Sequence, residues 1–315
     1  MVPKYYCCLR RFALILVVLG LALPATLLRT TQADDNAIYK QGGSGSKSGE
    51  KPAHGKYLRV IHDDRDRTVG LETAIVSFGP AAAGGAKVRV DLVAAVHIAD
   101  KPYYHELNQR FANYDVVLYE LVAPEGTRIP KGGRKEKGAS NMLSAMQLGM
   151  KDLLKLEFQL DQVDYTRKNL IHADLSPEQF VKSMRDRQEG FSDIFTRLLA
   201  YALAKQAQGG DGGEMQFLMA MFDNNRSLAL KRAMADQFQE VEGMMAVLEG
   251  PKGSTLIGER NKRALEILKT QIAAGKKKIA IFYGGGHMAD MEKRLRADFS
   301  LKPKETQWLQ AWNMK

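Results

Sequence analysis

Between Val88 and Leu121 the chain reads as strand, helix, strand. Val88–Val96 and Val116–Leu121 are short apolar runs rich in β-branched residues, the composition of strands buried on both faces. Between them, Asp100 is placed to cap a helix with Pro102 in its first turn, where a missing N–H does no harm. Tyr103, Leu107 and Phe111 then fall on one helical face. Two strands joined through a helix within about thirty residues form a right-handed crossover, so they run parallel. This unit excludes an all-helical or purely antiparallel architecture.

The segments on either side extend it. Leu71–Phe78 precedes the first strand across the turn-forming stretch Gly79–Ala86 and reads as the other arm of an N-terminal β-hairpin. From about Gly138 to Gly250 the pattern turns helical. Ser176-Pro177-Glu178-Gln179 opens one helix with a capping signature. Asp193–Gln208 forms another, broken by Gly209–Gly213. The methionines here (Met215, Met219, Met234, Met244 and Met245 among them) suit irregular core packing better than a promiscuous groove. A last α/β unit follows: a helix from Thr255 to Ala274 stopped by Gly275, a strand Lys278–Tyr283, a helix Met288–Asp298 and a strand Thr306–Asn313. The expected fold is α/β, a mostly parallel central sheet with an N-terminal β-hairpin and a large helical insertion over about 138–250, within a domain spanning 57–315.

Ahead of that domain, Arg10-Arg11 precedes the apolar run Phe12–Leu23 and Pro24, and Thr31-Gln32-Ala33 offers a small-residue cleavage site. This layout predicts a secretory signal peptide over 1–33, or a membrane anchor if uncleaved. The chain is therefore expected to be exported: periplasmic, secreted or held at a cell surface. Residues 34–56, polar and rich in Gly, Ser and Lys, read as a flexible tether. Both cysteines, Cys7 and Cys8, lie in the leader, so the domain has no disulfide, thiolate nucleophile or Cys-ligated metal. The formal charge is +10, but four basic residues and no acid fall within 1–33. The remaining basic residues are scattered and no nucleic-acid-binding motif accompanies them, so nucleic acid is not an expected partner.

The topology brings four polar residues together. His97 closes the strand Val88–Val96, Glu120 lies near the end of Val116–Leu121, and His287 follows Lys278–Tyr283. In one parallel sheet these carboxyl ends share an edge, where open α/β folds bind ligands, with strands about 4.8 Å apart. Arg260 comes from the start of a helix running back along the sheet, so it reaches the same edge. The motifs alone carry little weight. With 28 glycines and 6 histidines in 315 residues, chance gives about half a Gly-x-x-His match. Gly284-x-Gly286-x-x-Ala289 also fits a dinucleotide fingerprint, but 26 residues after Ala289 are too few for the second half of such a domain.

The stretches Val93-Ala94-Ala95-Val96-His97, Asp115 through Tyr119-Glu120-Leu121, Glu259-Arg260-Asn261 and Tyr283-Gly284-Gly285-Gly286-His287 resemble the TraB/PrgY/GumN/TIKI superfamily, related to erythromycin-esterase and ChaN-like proteins. The resemblance spans roughly residues 57–300 in order. Members carry two Gly-x-x-His motifs, a glutamate after the first and an arginine before the second. Here Ala94 replaces the first glycine, and Leu121-Val122 follows Glu120 where relatives often place an acid after the leucine.

The resemblance implies a divalent-metal-dependent peptidase or an esterase in which a histidine activates water. Two neutral imidazoles and a carboxylate suit a metal with an open position. His97 and His287 are the expected ligands or water activators, Glu120 a ligand or general base, and Arg260 an oxyanion stabiliser. No His-Glu-x-x-His is present, so this is not an ordinary zincin. The leading expectation is a metal-dependent hydrolase for peptides or small esters. The alternatives are a membrane-associated protein that binds or sequesters a peptide, a haem-like group or a lipid, and a tethered interaction protein with a decayed site, which Ala94 favours. His172 is a candidate to reach the site from the helical region, His62 belongs to a charged turn, and His105 is expected at the surface.

Overall fold

The computed structural model describes residues 55–81, 88–133, 153–207, 219–238, 241–250 and 252–315. The signal-peptide segment, all of the tether before Gly55 and the Gly209–Gly213 break lie outside them. Among the described residues no helix is long and apolar enough to cross a membrane.

The elements in order are β1 (Leu58–His62), β2 (Thr68–Pro80), β3 (Arg89–Ala95), β4 (Ile98–Ala99), α1 (Lys101–Phe111), β5 (Val116–Tyr119), β6 (Glu157–Phe158), α2 (Gln159–Gln162), β7 (Leu170–His172), α3 (Pro177–Asp186), α4 (Phe191–Ala207), α5 (Arg226–Phe238) and α6 (Val241–Glu249). A π-helical turn, Thr255–Glu259, leads into α7 (Arg260–Ala273). Then come β8 (Lys278–Gly284), a 3-10 turn (Gly285–His287), α8 (Met288–Asp298) and β9 (Leu301–Asn313).

The central sheet is α/β and mostly parallel in its core. β8 lies in the middle, parallel to β3 on one side and to β5 on the other, and β7 continues the parallel order beyond β5. The predicted hairpin is present: β2 runs antiparallel to β3, Phe78 opposite Val90. β9 pairs along nearly all of β2 and β1 along its first half. Alternation along β8 sorts its side chains. Ala280 and Phe282 face a core built with α1, α5 and α6, while Ile279, Ile281 and Tyr283 face one built with α7 and α8. Helices thus cover both faces, and each fully buried Ile or Phe contributes about 1.5–3 kcal/mol. Phe282 meets Phe111 edge-to-face with ring centroids 4.9 Å apart.

Several local expectations change. Ser176 forms the capping box with Gln179 as read from the sequence. Asp100 precedes α1 but makes no side-chain cap; its carboxylate instead accepts from Lys231 Nζ at 2.8 Å and from the Asn313 N–H at 2.6 Å. The segment expected to be a helical insertion also supplies β7, a strand of the main sheet. The helix expected from Thr255 divides, because Ser254 Oγ caps a π-helical turn and regular α-helix begins only at Arg260. Gly275, at φ +82°, ends it as expected.

Candidate functional site

β8 sits between β3 and β5, and register puts Ala95 beside Gly284 and Tyr119 beside Phe282. The residues just past these three strand ends therefore meet. Gly284 is the meeting point. A β-carbon there would lie 3.4 Å from Glu120 Oε2, 3.7 Å from His97 Nε2 and 3.9 Å from His287 Cδ2. The Gly284 N–H donates to Glu120 Oε2 at 2.6 Å, and the Glu120 N–H donates to Phe282 O at 3.1 Å. His97, Glu120 and His287 line one cavity of about 30 Å³, room for one or two waters. Its other walls are apolar and include Leu58, Phe238, Met245 and Ile257.

Ala94, the departure from the two-glycine pattern, is fully buried inside regular β3, opposite Tyr283. Alanine is comfortable in a strand, so the position has no need of glycine's freedom at positive φ.

Arg260 stands behind Glu120. Its Nε and Nη2 donate to the two oxygens of Asp174 at 3.0 and 2.6 Å, and Nη2 also donates to Glu120 Oε1 at 2.7 Å. Nη1 lies 3.4 Å from His287 Nε2. The sequence reading gave Asp174 no role. It follows β7, whose three residues are too few for a periodic signal, and it is almost fully buried. Asn261, quoted in the Glu-Arg-Asn stretch, also acquires a task. Its Oδ1 accepts from His287 Nδ1–H at 2.8 Å, and its amide donates to His287 O and Asp290. The amide's two donors are thereby used, which fixes its orientation. His287 therefore carries its proton on Nδ1 and a lone pair on Nε2.

The charges reinforce that state. Burial, assisted by the Arg260 guanidinium and His97, outweighs Glu120 and Asp174 and lowers the His287 pKa to about 4, so the ring is neutral near pH 7. Burial pushes Glu120 upward, but Arg260, then His287, His97 and the Gly284 N–H, hold its carboxyl well below the usual carboxylate range. A depressed carboxyl adds stability that is present above its unfolded value, about 4.3, and lost as pH falls toward its folded value. In chelator-containing buffer, Glu120→Gln should therefore flatten the fall in urea midpoint between pH 5 and 3. Parallel wild-type and variant curves would contradict this.

Two carboxylates against one guanidinium leave a single buried negative charge. Among the described residues no group of three or more His, Cys, Asp or Glu side chains is arranged as a metal site. The donor types nonetheless fit a divalent ion: a neutral imidazole with its Nε2 lone pair free of the ring proton, an ionised carboxylate 3.6 Å from it and a second imidazole on the same cavity. Arg260 shares the Glu120 oxygen that such an ion would use.

The other histidines lie elsewhere. His172 ends β7 near the same sheet edge, but its Nε2 contacts Leu121 O at 2.5 Å and it does not line the cavity. His105 is exposed beside Gln109, as expected, and His62 ends β1. The Gly285-Gly286 pair has a packing reason. A β-carbon on Gly285 would come within 2.7 Å of Leu58 and one on Gly286 within 2.6 Å of Met245. Gly285→Ala should lower stability by about 1–3 kcal/mol through overpacking against Leu58, read from urea unfolding, with Gly286→Ala, which meets only the flexible Met245 side chain, and Gly284→Ala costing less.

No family model, curated protein or solved structure matches the chain.

Proposed function

We propose that the protein is an exported hydrolase of peptide or ester bonds whose attacking water lies between His287, Glu120 and His97. One observation carries the reading: a neutral His287, its tautomer set by Asn261, lines a water-sized cavity together with an ionised carboxylate and a second imidazole. Export rests on the leader-like N-terminus, and the family assignment on the resemblance in the four stretches quoted above.

In this scheme the water donates one proton toward His287 Nε2 and its oxygen attacks the carbonyl carbon. The C–O bond forms, the carbonyl π pair moves onto oxygen, and the proton settles on Nε2. The imidazolium so formed lies beside Glu120, which stabilises it. The proton then passes to the leaving amine or alcohol as its bond to carbon breaks. Arg260, fixed by Asp174, keeps Glu120 ionised, and Nη1 is the donor an oxyanion could recruit. In the alternative, a divalent metal held by His97, Glu120 and His287 would occupy the Nε2 lone pair and supply Lewis-acid activation of water and carbonyl in place of proton transfer to His287.

The test pairs metal analysis with hydrolytic profiling of the wild type, His97→Ala and His287→Ala. Metal in the wild type that is lost in both variants supports the ligand assignment. Equal metal content in all three, including none, defeats it. Hydrolysis lost in both variants supports the reaction; hydrolysis unchanged, or absent from the wild type across peptide and ester panels, defeats it.

A further inference from the structure

The cavity holds water-sized space of about 30 Å³; His97 and Glu120 on its polar side are partly exposed, and the opposite side is apolar. Its apolar wall is closed by two side chains that sit on the Gly285-Gly286 turn, Leu58 from β1 and Met245 from α6. Met245 Cγ and Sδ lie 2.6 and 2.9 Å from where a Gly286 β-carbon would be, so the thioether rests directly on the backbone next to His287. Helix α6 cannot easily swing away at its C-terminal end. Glu249 accepts from the Ser254 N–H at 3.1 Å, Ser254 Oγ at 2.8 Å and the Gly258 N–H at 3.0 Å, tying the helix to the turn that precedes Arg260. Leu58 is held by the pairing of β1 with β2. The side chain of Met245, unbranched and with three rotatable bonds, is the most adaptable of these apolar wall elements.

We propose that Met245 is the gate and size filter of the site: it swings aside to admit the group next to the scissile carbonyl and selects for a small, apolar one. The other apolar side chains on this side of the cavity are Leu58, Phe238 and Ile257, surroundings that suit an uncharged substituent. Phe238, on the same wall, is locked edge-to-face on Trp312 with centroids 5.5 Å apart, which limits how far this side yields to a longer chain. The gate follows from packing alone; the substrate class rests on the hydrolase reading.

The experiment uses the purified full-length chain as wild type, Met245→Ala and Met245→Leu. Diethyl pyrocarbonate modification of each histidine is followed by peptide mass spectrometry, and p-nitrophenyl acetate and octanoate hydrolysis is measured in parallel. Met245→Ala should speed modification of His287 about tenfold, as expected if the open population rises by that factor. His62, His105 and His172 should keep their wild-type rates, which reports an intact fold. Met245→Leu, with its similar volume, should stay near wild type. An unchanged His287 rate in Met245→Ala overturns the gate. A shift of Met245→Ala toward the octanoate ester supports the size filter, and an unchanged chain-length preference overturns it. Faster His287 modification with no ester or peptide hydrolysis in any of the three defeats the hydrolase reading and leaves the gate standing.

Discussion

Arg260→Ala should lower the unfolding free energy by about 3–5 kcal/mol, the cost of leaving buried charges without their partner. Arg260 is 5% exposed and Asp174 3%, so water cannot readily take the place of the guanidinium. Its removal strands two carboxylates, on Asp174 and Glu120, a few ångströms apart. At about 2–4 °C per kcal/mol for a domain of this size, the melting temperature should fall by roughly 6–20 °C. Arg260→Lys keeps the charge but not the planar fork that meets both Asp174 oxygens while reaching Glu120, so it should recover only part of the loss. Urea and thermal unfolding check this. A loss under about 1 kcal/mol for Arg260→Ala would place the cluster in the range of surface ion pairs and contradict the buried network.

His287→Gln should reduce kcat/KM by about 10³-fold on the best substrate found in the panel, equivalent to about 4 kcal/mol of transition-state stabilisation. Glutamine fills similar space but cannot shuttle the proton. Asn261→Leu should give a smaller loss of about 10–100-fold, because the imidazole remains while the hydrogen bond that sets its tautomer is gone. His105→Ala, at an exposed position on α1 remote from the cavity, serves as the reference variant. Equal rates in wild type and His287→Gln would remove His287 from the chemistry.

The sequence showed the sheet's centre clearly because β3, β5 and β8 are buried on both faces and read as continuous apolar runs. That was enough to bring His97, Glu120 and His287 to one edge and Arg260 over it. What remained hidden has physical causes. β1 is only five residues long, with Arg59 and His62 among its apolar residues and a register shift at Ile61/His62, so pairing with β2 rather than a periodic pattern makes it a strand. β9 begins five residues earlier than expected, in polar Leu301–Glu305 with Pro303 among them. An edge strand tolerates proline and charge, and pairing with β2 rather than composition makes this segment a strand. β7 is only three residues long, yet it carries the chain to Asp174, so the strand and the site residue were missed together. Asn261 was in view, but its contact with His287 depends on how α7 sits against α8. Composition marks Met245 as core filling, and it is buried; its place on the Gly286 backbone is set by tertiary packing.

The central claim is that His97 and His287, nearly two hundred residues apart in sequence, act on one reacting centre. A double-mutant cycle on kcat/KM with His97→Ala, His287→Ala and the double variant tests it most directly. Residues that act as a unit lose their effect together, so the double variant should be about as slow as the worse single one. Losses that simply multiply would mean two independent contributions and would contradict a shared site.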